Sequence, residues 1–380
     1  MKGRPQGIAP TKIFMKTITI IGFGRFGKTL YRLVKDDFDI TIYTRRELSE
    51  AKVQRDKDAE RVTTSLEEAY KSDVIFYAVP ISSFEQVMKE HAQYIKDSHL
   101  LIDVLSVKLH AKQVFETYLK GTKTQALLTH PMFGPDSSKD GFENLPIILD
   151  QFLTNIETYD FWKKYFSKKN LRVIEMSADE HDKLAADSQG LTHFIGRVLE
   201  EYQFRPTTID SLGAKKLHDI KDQTCNDTWQ LFTDLQQYNP YTLHMRKKIG
   251  QAVNVIYDKL LPKQKHPEYV TIGIQGGKGS FNEEAVQYYI EKEGIKKYKI
   301  EYLYTSENVM KALHEYRIDR GQFAIHNSIG GIVDESIEAM AAYKFHIVEQ
   351  FAIKISHALM IRPDADFSDI TTIMTHPQVL

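Results

Sequence analysis

Cysteine is nearly missing from this chain: Cys225 is the single one among 380 residues. One thiol allows neither an intrachain disulfide nor a cysteine-built metal site, and a reducing setting, the cytoplasm, is expected. A surplus of charge of one sign is also lacking. Lys and Arg total 50 against 51 Asp and Glu, a formal charge of −1, so no overall basic field favours nucleic acid or an anionic membrane. No apolar run approaches the roughly 20 residues that a membrane span needs. Met1 to Phe14 carry no apolar h-region, so they do not resemble a signal peptide and are taken as an extension, residues 1–14. What is abundant is ordinary globular material, 42% hydrophobic and 27% charged, enough for two or three cored domains.

From Lys16 the chain alternates strand-like and helix-like segments. Apolar runs at Thr17 to Gly22, Asp39 to Tyr43, Val74 to Val79, Leu100 to Val104, Leu127 to Leu128, Pro146 to Leu149 and Leu171 to Ile174 predict buried strands. Arg25 to Lys35, Phe84 to Ile95 and Leu109 to Leu119 predict helices between them. This order implies a Rossmann-type, doubly wound, largely parallel α/β sheet over residues 15–177. Residues 178–262 lose the strand pattern and predict an all-α domain, broken at Arg205-Pro206 and Asn239-Pro240. Leu191, Phe194, Ile195, Val198 and Leu199 make an apolar stripe suited to a dimer. Residues 263–268 are a polar, proline-bounded linker. A new β-α pattern starts at Tyr269, with strands expected at Ile300 to Tyr304, Phe323 to Ile325 and Ile370 to Met374.

Ile18 to Ile21 leads directly into Gly22-Phe23-Gly24-Arg25-Phe26-Gly27, a G-x-G-x-x-G between strand and helix. That context predicts dinucleotide binding, with helix N–H groups facing the pyrophosphate. The next strand ends in Thr44, Arg45 and Arg46 and carries no acid for a ribose 2′-hydroxyl. Guanidinium groups suit a 2′-phosphate, so NADP is the expected cofactor, with Val79 and Pro80 after the third long strand completing the crevice. His130, expected just past a strand end and before Pro131, is the candidate acid/base.

The segments DVLSVK, THPMFGPDSSKDG, SADEHDKLAADSQGLTHFIGRVLE and CNDTWQLFTDLQQYN resemble the arogenate/prephenate dehydrogenases of tyrosine biosynthesis, and are most like the plant-type enzymes. The resemblance runs from about Lys16 to Leu261. It implies hydride transfer coupled to loss of a ring carboxylate, with His130 accepting the substrate hydroxyl proton, Ser106 orienting His130, and no metal. It places His193 in the substrate site, with Thr192, Gln189 and Ser188 beside it, and a homodimer built by the helical domain. His181 matches a family histidine too, but its polar helix start suggests a helix-surface or interface position.

Prephenate-using relatives carry an arginine where Gln223 stands here. Asp227 matches an acid of the plant-type enzymes and suits the ammonium of arogenate, although it is also placed to cap the helix starting near Trp229. Arogenate is therefore the expected substrate, prephenate the alternative, and tyrosine a plausible feedback ligand. A redox-silent nucleotide-binding regulator is the rival from another class.

The third segment resembles prephenate dehydratase in its glycine loop before Ser280-Phe281, in FAIHNSIGGIVDES and in THPQVL. Gly277 stands where that family has proline and His326 replaces its glutamate. The family's Thr-Arg-Phe motif would fall beyond Leu380. The resemblance thus implies one lobe of a two-lobed, periplasmic-binding-protein-type domain over residues 269–380, without dehydratase activity. Its glycine loop and Asn327-Ser328 are expected to be able to hold a small anion through backbone N–H groups.

Overall fold

A computed structural model describes residues 15–45, 61–260, 264–328, 330–356, 359 and 361–373. It divides into two compact units, Met1–Lys248 and Ile249–Leu380. No helix among the described residues is long and apolar enough to cross a membrane.

The first unit is built on strands β1 (Thr17–Ile21), β2 (Asp39–Tyr43), β3 (Val62–Thr63), β4 (Val74–Tyr77), β5 (Leu100–Asp103), β6 (Gln125–Pro131), β7 (Pro146–Asp150) and β8 (Arg172–Glu175). They lie in the order β3-β2-β1-β4-β5-β6-β7-β8. Every pairing is parallel except β6 with β7. Alternate residues leave opposite faces of the sheet. Ile18, Ile20, Val74, Phe76, Leu100 and Ile102 enter one core, while Ile21, Ile75, Tyr77 and Leu101 enter the other. Both faces are covered, so the central strands read as continuous apolar runs.

The helices are α1 (Arg25–Val34), α2 (Leu66–Ala69), α3 (Ile81–His91), α4 (Lys108–Tyr118) and α5 (Ile156–Lys168). Phe84 of α3 and Phe115 of α4 meet edge to face, with ring centroids 5.3 Å apart, in one core. Trp162 of α5 is fully buried in the other, against Phe38 and Phe76.

The helical segment follows as α6 (Ala178–Ala185), a π-helical turn (Ala186–Gly190), α7 (Leu191–Glu201), α8 (Leu212–Cys225), α9 (Trp229–Tyr238) and α10 (Thr242–Leu260). The breaks at Arg205-Pro206 and Asn239-Pro240 fall between helices, as expected. Two hydrogen bonds from Ser82, its N–H at 3.0 Å and its hydroxyl at 2.9 Å, go to the Asp234 carboxylate and fasten α9 to the start of α3.

In the second unit β9 (Val270–Ile274) is the centre of a parallel three-stranded sheet, flanked by β10 (Tyr298–Tyr302) and β11 (Arg320–Gln322). Helices α11 (Phe281–Lys292), α12 (Ser306–His314) and α13 (Asp334–Ala342) accompany it. The strand expected at Phe323 to Ile325 lies earlier, because Arg320–Gln322 is the stretch in register with Ile272–Ile274. Ile370 to Ile373 are not a strand; they follow a short 3-10 turn, Phe367–Asp369, and pair with no strand among the described residues. The unit boundary falls inside α10 rather than at the proline-bounded segment. The far end of that helix pairs within the second unit, Asn254 with Lys344 and Asp258 with His346.

The glycine loop of this unit is not an open anion cradle. The Gly276 N–H donates to the Tyr304 carbonyl, the Ser280 N–H to the Gly277 carbonyl, and the Gly279 N–H to the Glu283 carboxylate. The sequence showed the glycines but not these internal acceptors.

Candidate active site

β1 pairs with β2 on one side and β4 on the other, so the chain reverses its direction of winding there and opens a crevice at the strand ends. The glycine motif fills that crevice. Gly22 has φ +97°, and a Cβ on it would come within 2.5 Å of the Ala78 carbonyl and 3.3 Å of Val79 Cγ1. A Cβ on Gly27 would strike the Gly22 carbonyl at 2.2 Å. A Cβ on Gly24 would meet nothing within 4 Å. Gly22 and Gly27 thus shape the turn, and the space over Gly24 fits the close approach of a dinucleotide pyrophosphate.

Phe23 packs edge to face on Tyr31 and Phe26 tilts against Phe133, so both aromatic residues of the motif support the loop. Val79 lines the crevice floor and exposed Pro80 is the N-cap of α3. Ile21 and Tyr43 are in register, which brings half-buried Thr44 and exposed Arg45 out of the sheet beside the glycine loop. Arg46 lies outside the described residues.

His130 lies inside β6 rather than after it. Its strand is prolonged because β7 pairs antiparallel there, His130 with Ile148 and Pro131 with Ile147. It is 2% exposed. Burial above all, then His181 and Lys108, hold its pKa well below the ordinary range, so the ring is neutral near pH 7 and available as a base.

Its Nδ1 is 2.8 Å from His181 Nε2, and His181 Nδ1 is 2.8 Å from Asp182 Oδ1. Asp182 accepts the Lys108 N–H at 2.8 Å and the Leu109 N–H at 2.9 Å, both at the start of α4. His181 is therefore buried at 2% exposure and belongs to the site, against its expected place on a helix surface. Ser106 is half-buried and shares no hydrogen bond with His130 among the described residues; the hydrogen-bond partner of the His130 ring is His181.

The helical segment leaves single polar side-chain atoms buried without a hydrogen bond, although Arg197 Nη2 donates to the Asp227 carbonyl at 2.7 Å. Gln189 Oε1, His193 Nδ1 and Arg197 Nε are buried and unbonded. They recur every four residues, on one face through the π turn and α7, and π turns of this kind concentrate at functional sites. Unsatisfied buried polar atoms are rare, so these three atoms mark a face with hydrogen-bonding capacity to offer a ligand. Burial chiefly lowers the pKa of His193, with Asp227 and Arg197 as its charged neighbours.

Ser188 and Thr192 turn their hydroxyls to backbone carbonyls, Leu184 at 2.7 Å and Ser188 at 2.9 Å. Gln223 is exposed on α8. Asp227 does not cap α9, because Thr228 does so by accepting the Leu231 N–H at 3.2 Å. The Asp227 carboxylate instead meets Arg25 Nη1 at 3.2 Å. No cluster of three potential metal ligands occurs among the described residues.

This fold and crevice define a nucleotide-binding protein of Rossmann type with a buried histidine toward the end of β6. The family models described as "Prephenate dehydrogenase, nucleotide-binding domain" match residues 33–175, "TYRAAT1-like, C-terminal domain" residues 198–270, and "Prephenate dehydratase" residues 272–380. The chain is 32% identical over 259 residues to arogenate dehydrogenase 2, chloroplastic, of Arabidopsis thaliana, covering 66% of this chain and 72% of that protein. It is 31% identical over 252 residues to arogenate dehydrogenase 1, chloroplastic, of the same plant, covering 64% of this chain and 39% of that protein. A solved prephenate dehydrogenase from A. aeolicus, in complex with hydroxyphenyl propionate and NAD+, superposes with a TM-score of 0.54 at 18% identity, covering 74% of this chain and 98% of that one. The chain belongs to the arogenate/prephenate dehydrogenase family, and carries a prephenate dehydratase domain behind its dehydrogenase part.

Proposed function

We propose that the chain converts arogenate to tyrosine with NADP. The observation that carries this reading is Asp227, a carboxylate released from helix capping and set among the charged neighbours of buried His193. Such a carboxylate suits the ammonium of arogenate and offers the keto group of prephenate no charge to pair with. The name arogenate dehydrogenase of the two plant relatives supports the same substrate. The basic end of β2, Thr44 and Arg45 without an acid, supports NADP over NAD.

A bound dinucleotide supplies the hydride acceptor. His130 Nε2 takes the hydroxyl proton as the carbon bearing it gives up hydride. The ring carboxylate then departs as carbon dioxide, its electron pair enters the ring, and His130 returns the proton to the phenolate oxygen. No net proton is consumed, and aromatisation drives the step. His193, Gln189 and Thr192 wall the substrate, while Ser106 sits at the end of the neighbouring strand.

We further propose a homodimer through the helical domain. Val198, Tyr202, Leu212 and Leu217 are exposed there, which suits a covered face, and sedimentation of the full chain tests it. Competitive inhibition by tyrosine, which shares ring and side chain with arogenate, and a cytoplasmic location complete the reading. The dehydratase-like domain is proposed to be without dehydratase activity, because His326 replaces the expected glutamate.

Cofactor reduction at 340 nm, crossing arogenate and prephenate with NADP and NAD, tests the whole. Turnover with arogenate and NADP supports it, and Asp227→Asn should then shift kcat/KM toward prephenate. Preference for prephenate in the unaltered chain would remove the role given to Asp227. No turnover with any pair would favour the redox-silent regulator.

A further inference from the structure

We propose that Asp182 and His181 are positioning residues that fix His130 in its less common neutral tautomer and share the proton it gains. The inference rests on His130 being the proton acceptor. It begins at Asp182, whose side chain is 0% exposed. Its two oxygens accept the N–H groups of Lys108 and Leu109, donors that the start of α4 leaves without intrahelical acceptors. A further bond, from Asn239 Nδ2 to the Asp182 carbonyl at 2.8 Å, pins its backbone.

An ionised carboxylate only accepts. His181 Nδ1 must therefore carry a hydrogen, which leaves Nε2 as an acceptor. His130 Nδ1 must then carry a hydrogen toward His181, and the His130 lone pair is forced onto Nε2. Free imidazole favours the opposite arrangement, so the partner of the other nitrogen decides. Nε2 makes no hydrogen bond among the described residues and is left for substrate.

The same chain of bonds moves charge. When His130 Nε2 takes the substrate hydroxyl proton, the Nδ1 hydrogen can pass to His181 Nε2. The positive charge then rests on His181, directly beside the Asp182 carboxylate, while the Lys108 ammonium, paired with Asp103, is the cation that acts on His130. Return of that hydrogen restores Nδ1–H as His130 reprotonates the phenolate. No bond other than N–H and O–H changes in the relay.

Histidine-selective 15N NMR of the full chain tests the proposal without turnover. Both His130 and His181 should show the Nδ1–H form. Finding His130 with hydrogen on Nε2 and not on Nδ1 would overturn it. Kinetics give the second readout. Asp182→Leu removes the acceptor that fixes His181, frees both tautomers, and should lower kcat by about 10-fold or more while NADP affinity and substrate KM stay within about threefold, as expected for a partly wrong tautomer. His181→Gln, whose carbonyl can accept from His130 Nδ1, should retain more than a tenth of kcat, and His181→Phe should not. Equal kcat for the Gln and Phe variants, or unchanged kcat in folded Asp182→Leu, would reduce both residues to packing. If His130→Asn turns over normally, the acceptor reading itself fails, and the NMR result still judges the tautomers.

Discussion

The Arg25 guanidinium ties the glycine loop to the helical segment through Asp227. Its Nη1 donates to Asp227 Oδ1 at 3.2 Å and to the Asn226 carbonyl at 2.8 Å, and its Nη2 to Asp136 Oδ2 at 2.9 Å. Arg25 is also the first residue of α1, where a dinucleotide pyrophosphate would draw the same cation. On the proposed reading, Arg25 turning to the phosphate would leave Asp227 to the substrate ammonium. Replacing Arg25 by Ala should weaken NADP binding roughly 10- to 100-fold, the scale of a lost bond to a charged group. Arogenate binding to the nucleotide-free protein should not weaken. The ion pairs are partly exposed and contribute ~0–1 kcal/mol to folding, so Tm should hold. Calorimetric titration of both ligands decides it, and equal weakening of both would make Arg25 a scaffold residue.

Cofactor choice is expected to follow Arg45. Tyr43, two residues before it, ends β2 in register with Ile21, so exposed Arg45 leaves the sheet beside the glycine loop. Arg45→Ala should lower kcat/KM for NADP by roughly 10- to 100-fold through loss of charge-assisted bonds to the 2′-phosphate. The value for NAD should change less than threefold. A parallel fall for both cofactors would place Arg45 outside 2′-phosphate recognition.

The nucleotide crevice was legible because its signals are local. Strand, glycine turn, helix and the next strand follow one another within residues 17–43 and needed no distant partner. Of the residues proposed to handle the proton, the sequence singled out only His130 and Ser106. His181 seemed polar because Asp179, Glu180 and Lys183 surround it in sequence. Its buried face is Ala178, His181, Asp182 and Ala185, an i, i+3, i+4, i+7 stripe that is a core pattern with two polar members. That stripe was the available signal. The extension of β6 over His130 and the use of Thr228 rather than Asp227 as the cap depend on β7 and on backbone dihedrals, which no local pattern carries.

A pH dependence of stability is expected from His91. Its Nδ1 is 2.9 Å from the Tyr70 hydroxyl, which is 2.8 Å from the Tyr77 hydroxyl. Burial chiefly lowers its pKa from 6.5 to about 4. The unfolded chain therefore binds this proton more readily than the folded one. The stability it contributes is present above about pH 6.5 and is lost as pH falls toward 4. Thermal midpoints measured across that window should fall with pH in the native chain. His91→Gln should flatten part of the slope, the remainder belonging to groups such as His130, whose pKa is lowered in the same direction. An unchanged slope would mean that His91 is protonated inside the fold.

The buried pair Lys108–Asp103 braces the strand that carries His130, through the Thr129 backbone. Lys108 Nζ donates to the Asp103 carboxylate and to the Thr129 carbonyl at 2.5 Å, and the Thr129 and Leu105 N–H groups reach the same carboxylate at 3.2 Å. Burial pushes the Asp103 carboxyl up and the Lys108 ammonium down, so each charge depends on the other. Lys108→Met leaves a carboxylate without its cation and should cost ~3–5 kcal/mol, whereas replacing both by apolar residues, Lys108→Met with Asp103→Leu, should recover most of it. Urea unfolding of the two single variants and the double variant gives the coupling energy. Because Thr129 immediately precedes His130, the stabilised double variant should still turn over slowly. A double variant that regained both stability and kcat would show that His130 is held by His181 and the strand alone, with the ion pair irrelevant to its position.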